Sequence, residues 1–394
     1  MLPWNETTAA NERLKLIQFV VRNAWPVTTA SRALRVTPKT AHKWLARYRE
    51  HGLAGLQERS RAPHTHPNAT RSEVAERIIA FKREQPGYGP KKLIALLRER
   101  EPQTRWPAIS TASGILDREG LVARRKPKRR ATPWSQPFAQ AVAPNDVWAI
   151  DFKGWFRTAD GQRVNPLTVQ DAASRYLLAC VGLEHPTGPA VQDALTRLFH
   201  EFGLPRVIHS DNGPPFASVG LASLSPLAVW WVKLGISPER ITPGRPEQNG
   251  RLERLHRTLK AAVADPPQSS PLAQQRAFDA FRHSYNTERP HEALGQRPPA
   301  LLYSPSPRPY PSTLPEPDYP AGLSVRRVRH NGQIKWQGRL IYLSEALIGE
   351  PVALRPHANN DWLIQFGPLA IGLLNSSTFT IDKCPVQVLP MSPV

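Results

Sequence analysis

Three segments carry acidic residues where a set of carboxylates could hold metal ions. Asp151 ends the alternating segment VWAID, and Asp211 follows the short apolar segment VIHS. Further along, PGRPEQNGRLERLHRTLK contains two glutamates, Glu247 and Glu253. Carboxylates are preferred ligands of Mg²⁺ and Mn²⁺, and two such ions about 4 Å apart can promote in-line phosphoryl displacement. These acids therefore predict phosphodiester chemistry.

The choice of glutamate depends on local structure. Residues 243–250 contain two prolines and two glycines, which favour a loop around Glu247. The next segment has leucines on one helical stripe: Leu252, Leu255 and Leu259. Because a helix holds a side chain more rigidly than a loop, we predict that Glu253 completes a catalytic and metal-binding set with Asp151 and Asp211. The alternative for Glu253 is an ordinary salt-bridged helix surface.

The helix predicted around Glu253 also carries cations. His256, Arg257 and Lys260 follow Glu253 at spacings of three, four and seven residues, which place them on its face of the helix. We predict that these three residues hold a DNA strand beside the carboxylates. Glu247 is interpreted as a loop residue at the mouth of the site.

Charge and cysteine content narrow the class of protein. The 394-residue chain has a formal net charge of +20, which favours a polyanionic partner, and its length predicts roughly two to four domains. A basic membrane-surface protein is the alternative, but there is no long apolar run or signal pattern. A soluble, cytoplasmic protein is expected. With only Cys180 and Cys384, a disulfide framework and a cysteine-based zinc site are excluded.

The amino-terminal region has the pattern of a helix-turn-helix. In VTTASRALRVTPKTAHKWLARYREHG, Thr37 is a predicted N-cap and Pro38 the first residue of a second helix. The inward face of that helix is predicted to be Ala41, Trp44, Leu45 and Tyr48. The outward face is predicted to contact the DNA major groove through Lys39, Thr40, His42, Lys43 and Arg47. An ordinary three-helix bundle with a solvated basic face is the alternative.

A second helical region and a basic run follow. RSEVAERIIAFKREQPGYGPKKLIALLRER and AISTASGILDREGLV predict three helices, which form either a second helix-turn-helix or a plain interaction bundle. The run RRKPKRR is predicted to lie on DNA phosphates, with a solvated linker as the alternative. Its basic residues are Arg124, Arg125, Lys126, Lys128, Arg129 and Arg130.

The central region alternates between strands and helices. DVWAIDFKG, FRTADGQRVNPLTVQ and SRYLLACVGL predict a three-stranded meander with a turn at Asp160-Gly161. PAVQDALTRLFHEFGLP predicts a helix, and a buried strand then ends at Asp211. LASLSPLAVWWVKLGI and ERIT add a helix and a short strand. If the strands that carry Asp151 and Asp211 are neighbours, the two side chains can converge.

The carboxy-terminal region, about 322–390, consists of short alternating segments that predict a small β-barrel. Asn331-Gly332 is a hairpin signal between the first two segments. Basic residues suggest nonspecific DNA binding or subunit contact: Arg326, Arg327, Arg329, Lys335 and Arg339. A purely structural barrel is the alternative.

Three of these segments together resemble the signature of a known family. VWAIDF, HSDNG and NGRLERLHRTLK, in that order, resemble the three signature segments of the retroviral-integrase-type core found in bacterial insertion-sequence transposases of the two-aspartate, one-glutamate (DDE) class. VTPKTAHKWLARYREHGLAGLQERS and YNTERPHEALGQRPPA also resemble parts of such transposases, so the likeness covers roughly residues 10–300. It implies a ribonuclease H-like core with Asp151, Asp211 and Glu253 as its acids, and Asp171 is interpreted as a structural or supporting acid.

The spacing of the third acid departs from the family. Residues 212–252 separate Asp211 from Glu253, a longer interval than usual, and we assign the extra residues to ASVGLASLSPLAVWW. Glu247, in contrast, lies at the 35-residue spacing of one well-known transposase signature. The resemblance nevertheless assigns Glu253 as the third acid. In the family, two residues separate the glutamate from a preceding NG, and Glu253 is at this spacing from Asn249-Gly250.

The resemblance implies a DNA transposase that binds inverted-repeat ends, cuts a strand with metal-activated water and joins the 3′-hydroxyl to target DNA. It implies two Mg²⁺ ions per site, with Mn²⁺ as a substitute. The expected partners are double-stranded DNA and further copies of the chain, at least a dimer, in the bacterial cytoplasm or nucleoid and away from membranes. The alternatives are a catalytically inactive DNA-binding regulator or end-pairing scaffold, and a nuclease that does not join strands.

The predicted organisation is multidomain. Most of its borders coincide with proline-rich segments such as RAPHTHP and SPSPRPYPSTLPEPDYP, among 42 prolines in all. The predicted parts are a helix-turn-helix domain (1–65), a second helical, possibly helix-turn-helix, domain (66–123), a basic linker (124–143), an α/β ribonuclease H-like catalytic core with trailing helices (144–303), a proline-rich linker (304–321) and a small β-barrel (322–394).

Overall fold

The structure, a computed structural model, describes residues 8–58, 69–122, 141–218, 220–242, 244, 246–382 and 387–388. The chain divides into two compact units, Met1–Thr70 and Arg71–Val394. Each unit has its own hydrophobic core. None of the described helices is long and apolar enough to cross a membrane.

The first unit is helical. Its elements are α1 (Ala9–Ile17), a π-helical turn (Gln18–Arg22), α2 (Val27–Ala33), α3 (Pro38–His51) and a 3₁₀ turn (Gly52–Leu56). The predicted N-cap is confirmed, because the Thr37 hydroxyl accepts a hydrogen bond from the Thr40 amide at 3.2 Å. The predicted inward face of α3 is confirmed as well, since Ala41, Trp44 and Leu45 are buried and Tyr48 packs against them.

The second unit begins with the three predicted helices. They are α4 (Ser72–Glu84), α5 (Pro90–Arg100) and α6 (Ile109–Arg118). Phe81, Leu93, Leu97 and Leu116 are among the residues that form their common core. Pro90 lies in the first turn of α5. Amides at this position have no hydrogen-bond partner within the helix, so a proline there costs no hydrogen bond.

The central sheet follows the predicted strand order. Its strands are β1 (Val147–Phe152), β2 (Phe156–Arg157), β3 (Arg163–Asp171), β4 (Leu177–Leu183), β5 (Val207–Ser210) and β6 (Ser237–Arg240). β1 pairs antiparallel with β3 and β3 with β4, whereas β1 pairs parallel with β5 and β5 with β6. β2 extends β1 along β3. The meander is thus confirmed, and the strands that carry the two aspartates are neighbours.

Helices cover both faces of this sheet. They are α7 (Gly188–Phe202), α8 (Pro226–Lys233), α9 (Gly250–Leu259), which continues into a π-helical turn (Lys260–Ala264), and α10 (Pro271–Thr287). Trp148 and Ile150 of β1 share one core with α7 and α8. Val147 and Ala149 share the other core with α9 and α10. Side chains alternate between the two faces of a strand, so Asp151 lies on the same face as Val147 and Ala149. Its side chain is therefore directed to the α9 side of the sheet.

Short 3₁₀ turns connect the main elements: Leu221–Ser223, Pro246–Asn249, Glu292–Leu294, Pro299–Leu301, Glu345–Leu347 and Ala358–Asn360. The second corrects one prediction, because Glu247 belongs to a helical turn and not to an irregular loop. The turn leads directly into α9. The side chain of Glu247 lies outside the described part of the chain.

The carboxy-terminal strands are β7 (Ser324–Arg327), β8 (Gln333–Trp336), β9 (Arg339–Tyr342), β10 (Pro351–Pro356), β11 (Trp362–Phe366), β12 (Leu369–Leu374), β13 (Ile381–Asp382) and β14 (Gln387–Val388). Their sheet has the order β13-β12-β11-β10-β7, with β14 also on β12 and β8-β9 as a separate pair. The predicted barrel is not confirmed, since no strand pairing within the described residues closes this sheet.

The predicted turn at Asn331-Gly332 forms, since the Gly332 amide donates to the Arg329 carbonyl at 2.9 Å and the Arg329 amide donates to the Gln333 carbonyl at 2.8 Å. The strands on either side of it, however, do not pair with each other. β7 pairs with β10 and β8 pairs with β9, so the strands on either side of this turn have different partners. The strands that do pair across a tight connection are β8 and β9, which are joined between Trp336 and Arg339. There Gln337 and Gly338 both have positive φ, 46° and 80°, as a two-residue hairpin turn requires.

The proline-rich segment 304–321 is attached to the core at its amino-terminal end. The Ser306 amide donates to the Phe202 carbonyl at 2.7 Å, and the Leu204 amide donates to the Arg308 carbonyl at 2.7 Å. The Arg308 guanidinium donates to the carbonyls of Pro205, at 2.8 Å, and Leu234, at 3.0 Å. This part of the segment, predicted to be an extended spacer, is therefore fixed against the end of α7.

Candidate active site

Asp151 and Asp211 lie on adjacent parallel strands. The register pairs Ala149 with His209, and two residues further along each strand are the two aspartates. Asp211 follows the last residue of β5, where its carboxylate accepts a hydrogen bond from the Gly213 amide at 3.2 Å. Both acids therefore lie at the same edge of the sheet, as the sequence predicts.

Helix α9 approaches this edge from one face of the sheet. Leu252, Leu255 and Leu259 are buried, which anchors the helix. Asn249, the residue before α9, donates from its side-chain amide to the Asp151 carboxylate at 3.1 Å. Glu253, one turn later, is exposed in the first turn of the helix. The helix start thus brings Glu253 to the same region as the two aspartates.

The three carboxylates form a region of negative charge. Burial raises the pKa of Asp151 to about 7, and the charges of Asp211 and Glu253 contribute to this rise. Burial also raises the pKa of Asp211 above its usual range. Carboxylates that repel one another in a partly dehydrated site favour either a proton or a bound cation. Besides burial, the charges of the other two acids thus act on Asp151.

His256 corrects a second prediction. It is buried, and its Nε2 lies 2.7 Å from the Thr168 hydroxyl of β3, whereas its Nδ1 lies 4.0 Å from the Asp151 carboxylate. Burial lowers its pKa to about 4, so the ring is neutral near pH 7. The predicted DNA contact is wrong, because this position borders the leucine stripe and faces the sheet. His256 instead lies beneath Asp151.

The other two predicted cations, one on α9 and one in the π-helical turn that continues it, are exposed to solvent. Arg257 and Lys260 are exposed, and Lys260 is 4.0 Å from the Asp265 carboxylate. Their side chains are accessible to a strand that approaches the carboxylates. Their contact with DNA stays a prediction.

The donor atoms at this edge suit a hard divalent cation. Besides the carboxylates, the side-chain oxygen of Asn249 is buried without a hydrogen-bond partner. Carboxylate and amide oxygens are ligands of Mg²⁺ and Ca²⁺. However, within the described ranges no three His, Cys, Asp or Glu side chains come close enough to share one ion. Ligation by all three acids therefore stays a prediction.

Asp171, interpreted as a structural or supporting acid, is fully buried. Its carboxylate accepts hydrogen bonds from the Asn145 amide at 2.8 Å, and from the Ser174 amide and hydroxyl at 2.7 and 2.6 Å. These bonds close the turn after β3 and tie it to the start of β1. A structural role accounts for all of them.

Two residues at the site escape sequence reasoning: Asn249 and Thr168. Asn249 could have been found from its position directly before the predicted helix of Glu253. Thr168 carries no such signal, because its contact with His256 joins positions 88 residues apart.

In the first unit, the predicted outward face of α3 is only partly free. Lys39, His42 and Lys43 are exposed, and the Arg47 guanidinium carbon lies 4.9 Å from the Trp44 ring centre. Thr40 is half-buried and lies 2.9 Å from the Thr37 hydroxyl. Thr40 therefore belongs to the helix cap, and the exposed cations form the accessible face. The predicted phosphate contacts of the basic run lie outside the described residues: Arg124, Arg125, Lys126, Lys128, Arg129 and Arg130.

Comparison with known protein families supports the domain types. Two profiles described as "Integrase core domain" match residues 141–246 and 234–299. A profile described as "Helix-turn-helix domain" matches residues 12–64, and one described as "Homeodomain-like domain" matches residues 40–116. The predicted integrase-type core and amino-terminal helix-turn-helix are confirmed.

The chain is also similar to proteins of bacterial insertion elements. The chain is 29% identical over 230 residues to "Insertion element IS407 uncharacterized 31.7 kDa protein" of Burkholderia multivorans, which covers 58% of this chain and 79% of the relative. It is 27% identical over 293 residues to "Transposase InsD for insertion element IS2A/D/F/H/I/K" of Escherichia coli, over 71% and 91% of the two chains. A solved structure, the HTLV-2 integrase catalytic core domain in complex with magnesium (trimeric form), is similar at 15% identity and a TM-score of 0.33, over 41% of this chain and 98% of that one.

Proposed function

We propose that this chain, which has an integrase core domain behind helix-turn-helix domains and resembles the transposases of bacterial insertion elements, cuts DNA at element ends and joins it to target DNA. The single observation that supports catalysis most strongly is the placement of Asp151 beside Asp211, with the start of α9 bonded to Asp151. This arrangement supports a shared role for the two aspartates and the helix that carries Glu253. The net charge of +20 is consistent with a DNA substrate.

Asp151, Asp211 and Glu253 are the residues that would hold two Mg²⁺ ions, with Mn²⁺ as a substitute. A divalent cation, when bound, supplies Lewis-acid activation of the attacking oxygen and neutralises the charge that develops at phosphorus. Asn249 and His256 have a different role in this proposal. They hold the Asp151 carboxylate and the start of α9 in position without touching the DNA.

The proposed reaction has two displacements at phosphorus. In the first, a water oxygen forms a bond to a phosphorus atom at the element end, the bond to the 3′-oxygen breaks, and that oxygen leaves as a 3′-hydroxyl. In the second, this hydroxyl oxygen forms a bond to a target phosphorus atom and displaces a target 3′-oxygen. The number of phosphodiester bonds is unchanged by the second step, so no energy source or covalent protein intermediate is required.

Recognition of the ends is assigned to the first unit. The exposed cations of α3, Lys39 and Lys43 among them, are proposed to contact the major groove, and His42 lies on the same face. Two ends must be brought together for joining, so a dimer or larger oligomer of the chain on DNA is proposed.

Strand transfer by the purified full-length chain tests this function. The substrates are duplexes that carry candidate end sequences, taken from the DNA on either side of the coding sequence, together with supercoiled target DNA and Mg²⁺. We expect end-to-target products from the wild type and from Glu247→Gln, and neither cutting nor joining from Glu253→Gln. DNA binding by Glu253→Gln is expected to stay at the wild-type level.

Other outcomes have distinct meanings. If activity disappears with Glu247→Gln and persists with Glu253→Gln, the assignment of the third acid is wrong. Cutting without joined products identifies a nuclease. Binding without cutting by the wild type, on ends that it protects from nuclease digestion, identifies a DNA-binding regulator or end-pairing scaffold.

A further inference from the structure

Four segments of the second unit contribute basic side chains to one group, which includes Arg254, the residue after Glu253. We call it the basic cluster and define it as Lys92, Arg175, Arg254 and Arg289. Lys92 is on α5, Arg175 in the turn between β3 and β4, Arg254 on α9 and Arg289 after α10. Arg289 belongs to YNTERPHEALGQRPPA, a segment to which the proposed function assigns no role.

Two tyrosines organise this cluster. The Arg289 guanidinium carbon lies 5.3 Å from the Tyr88 ring centre and 5.9 Å from the Tyr285 ring centre. On the Tyr88 ring, the Lys92 ammonium lies at 5.5 Å. Contacts with aromatic faces hold these cations without neutralising their charge. Helix α5 and the segment after α10 thus present two positive charges to the same space.

Two nitrogen atoms in this region are buried without a hydrogen-bond partner. They are Nη1 of Arg175 and Nε2 of His291. His291 packs against Tyr285, with ring centres 4.8 Å apart, and Tyr285 accepts a hydrogen bond from Gln170 at 3.1 Å. Buried polar atoms are nearly always paired in native proteins, and a guanidinium nitrogen can only donate, so the unpaired Nη1 of Arg175 indicates a missing acceptor. The neutral His291 ring donates from its other nitrogen to the Tyr285 backbone, so its Nε2 lacks a donor and does not indicate an anion.

The cations of the cluster act on one another. Burial lowers the pKa of Lys92 to about 8, and the charges of Arg289 and Arg254 add to the effect. Burial also lowers the pKa of His291 to about 3, with contributions from Lys92, Arg289 and Arg175. Such repulsion is relieved when an anion binds between the charges.

The nearby carboxylates are already engaged. Glu292 is exposed and forms an ion pair with Lys91, and Glu288 accepts a hydrogen bond from Ser284 at 3.1 Å. Asp171 is saturated by Asn145 and Ser174, as described above. Glu292 acts on Lys92 and Asp171 acts on Arg175, so these acids offset part of the positive charge. No salt bridge among the described residues joins an acid to one of the four cluster residues.

We infer that the basic cluster binds a backbone phosphate of the DNA strand that enters the active site. Arg254 is the residue after Glu253, so a phosphate held by the cluster belongs to DNA close to the reacting bond. Arginine is suited to this role because its planar donors match phosphate oxygens. The inference rests on the proposed function, and it gives α5 and the segment after α10 a shared role in holding DNA.

Salt-dependent DNA binding tests the inference. The full-length chain would bind a fluorescent duplex in EDTA at several KCl concentrations, with Arg254→Gln and Arg289→Gln as the cluster variants. Arg98→Gln on α5 and Arg276→Gln on α10 are matched controls, because both are exposed arginines outside the cluster. Each lost phosphate contact lowers the slope of log K against log salt by about 1.

We expect the two cluster variants to weaken binding about 3- to 10-fold and to lower the slope by about 1, while the control variants keep the wild-type slope. Arg289→Lys, which retains the charge, is expected to keep most of the slope and so separates charge from packing. Wild-type slopes in both cluster variants overturn the inference. A second result also overturns the inference: inorganic phosphate raises the melting temperature of the wild type and not of Arg254→Gln, while the variant binds DNA as the wild type does. The cluster would then bind free phosphate only.

The strand-transfer experiment distinguishes this inference from the proposed function. If the cluster variants lose a phosphate contact but the wild type joins no strands, the cluster is supported and the transposase proposal fails. If joining occurs and the cluster variants bind DNA as wild type does, the transposase proposal is supported and the cluster inference fails.

Discussion

The side-chain amide of Asn249 donates a hydrogen bond to the carboxylate of Asp151 at 3.1 Å, across 98 positions of the chain. Asp151 is fixed in β1, whereas Asn249 immediately precedes α9. The bond therefore ties the start of the helix that carries Glu253 to the strand that carries the first aspartate. It sets the position of one predicted acid relative to another.

We predict that Asn249→Ala lowers the rate of strand transfer about 10- to 100-fold, because loss of a supporting contact to a metal-binding acid has effects of this size. DNA affinity measured in EDTA is expected to be unchanged, since Asn249 touches no predicted DNA contact. Asn331→Ala, which removes an exposed amide from the carboxy-terminal sheet region, is the control. Equal rates for Asn249→Ala and wild type would show that the bond has no positioning role.

We predict that Asp151→Asn stabilises the metal-free protein above pH 7. Burial and neighbouring acids raise the pKa of Asp151 to about 7 in the folded state, well above its value in an unfolded chain, so the folded state binds the proton more tightly. The resulting destabilisation is fully present above pH 7 and is relieved as pH falls from 7 towards 4. A tenfold difference in proton affinity between the folded and unfolded states corresponds to about 1.4 kcal/mol.

Melting temperatures in EDTA check this prediction. The variant is expected to melt several degrees above wild type at pH 8, and the difference is expected to shrink by pH 5. Asp193→Asn, at an exposed position on α7, is the control for a general effect of removing negative charge from this basic protein. A variant that is no more stable than wild type at pH 8 contradicts the coupling among the three acids.

We predict that Mg²⁺ raises the melting temperature of the wild type and that Asp151→Asn and Asp211→Asn remove this effect. An ion at ten times its dissociation constant stabilises the folded state by about 1.4 kcal/mol, according to mass action. Differential scanning fluorimetry against Mg²⁺ concentration, with KCl at matched ionic strength as control, measures the melting temperature. An equal Mg²⁺ effect in a variant that lacks both aspartates places the ion elsewhere.

We predict opposite consequences for two neighbouring residues on α9. His256→Ala removes a buried ring and its contact with Thr168, so it is expected to lower the free energy of unfolding by about 1 to 3 kcal/mol. Because Arg257 is exposed, Arg257→Ala is expected to leave the free energy of unfolding within about 0.5 kcal/mol of the wild-type value. The same variant is expected to weaken DNA binding. Denaturation by urea and DNA binding in EDTA, measured on both variants, separate the roles. A stable His256→Ala with weakened DNA binding would restore the DNA contact that the buried ring argues against.

The local chemistry of the sequence determined most of the elements. The leucine and aromatic stripe of α7, the Thr37 cap with Pro38 and the alternation through β1 all appear as predicted, because each depends on neighbours within a few residues. The order of the three acidic segments likewise predicted the integrase-type core. The failures near the carboxy terminus have one cause: the partner of a short strand is chosen by distant residues, so the Asn331-Gly332 signal did not decide the pairing of β7.

Tertiary structure alone decided what surrounds the acids. A helical pattern put His256 near Glu253, but only the packing of α9 on the sheet determined that its ring is buried against Thr168. The same holds for the basic cluster, whose cations come from four segments and whose missing acceptor is visible only when these segments are packed. Periodicity describes one element at a time, whereas burial, pKa and unpaired polar atoms depend on what other elements bring within a few ångströms. The sequence by itself therefore determined which residues are able to do chemistry, and the fold determined which of them share a site.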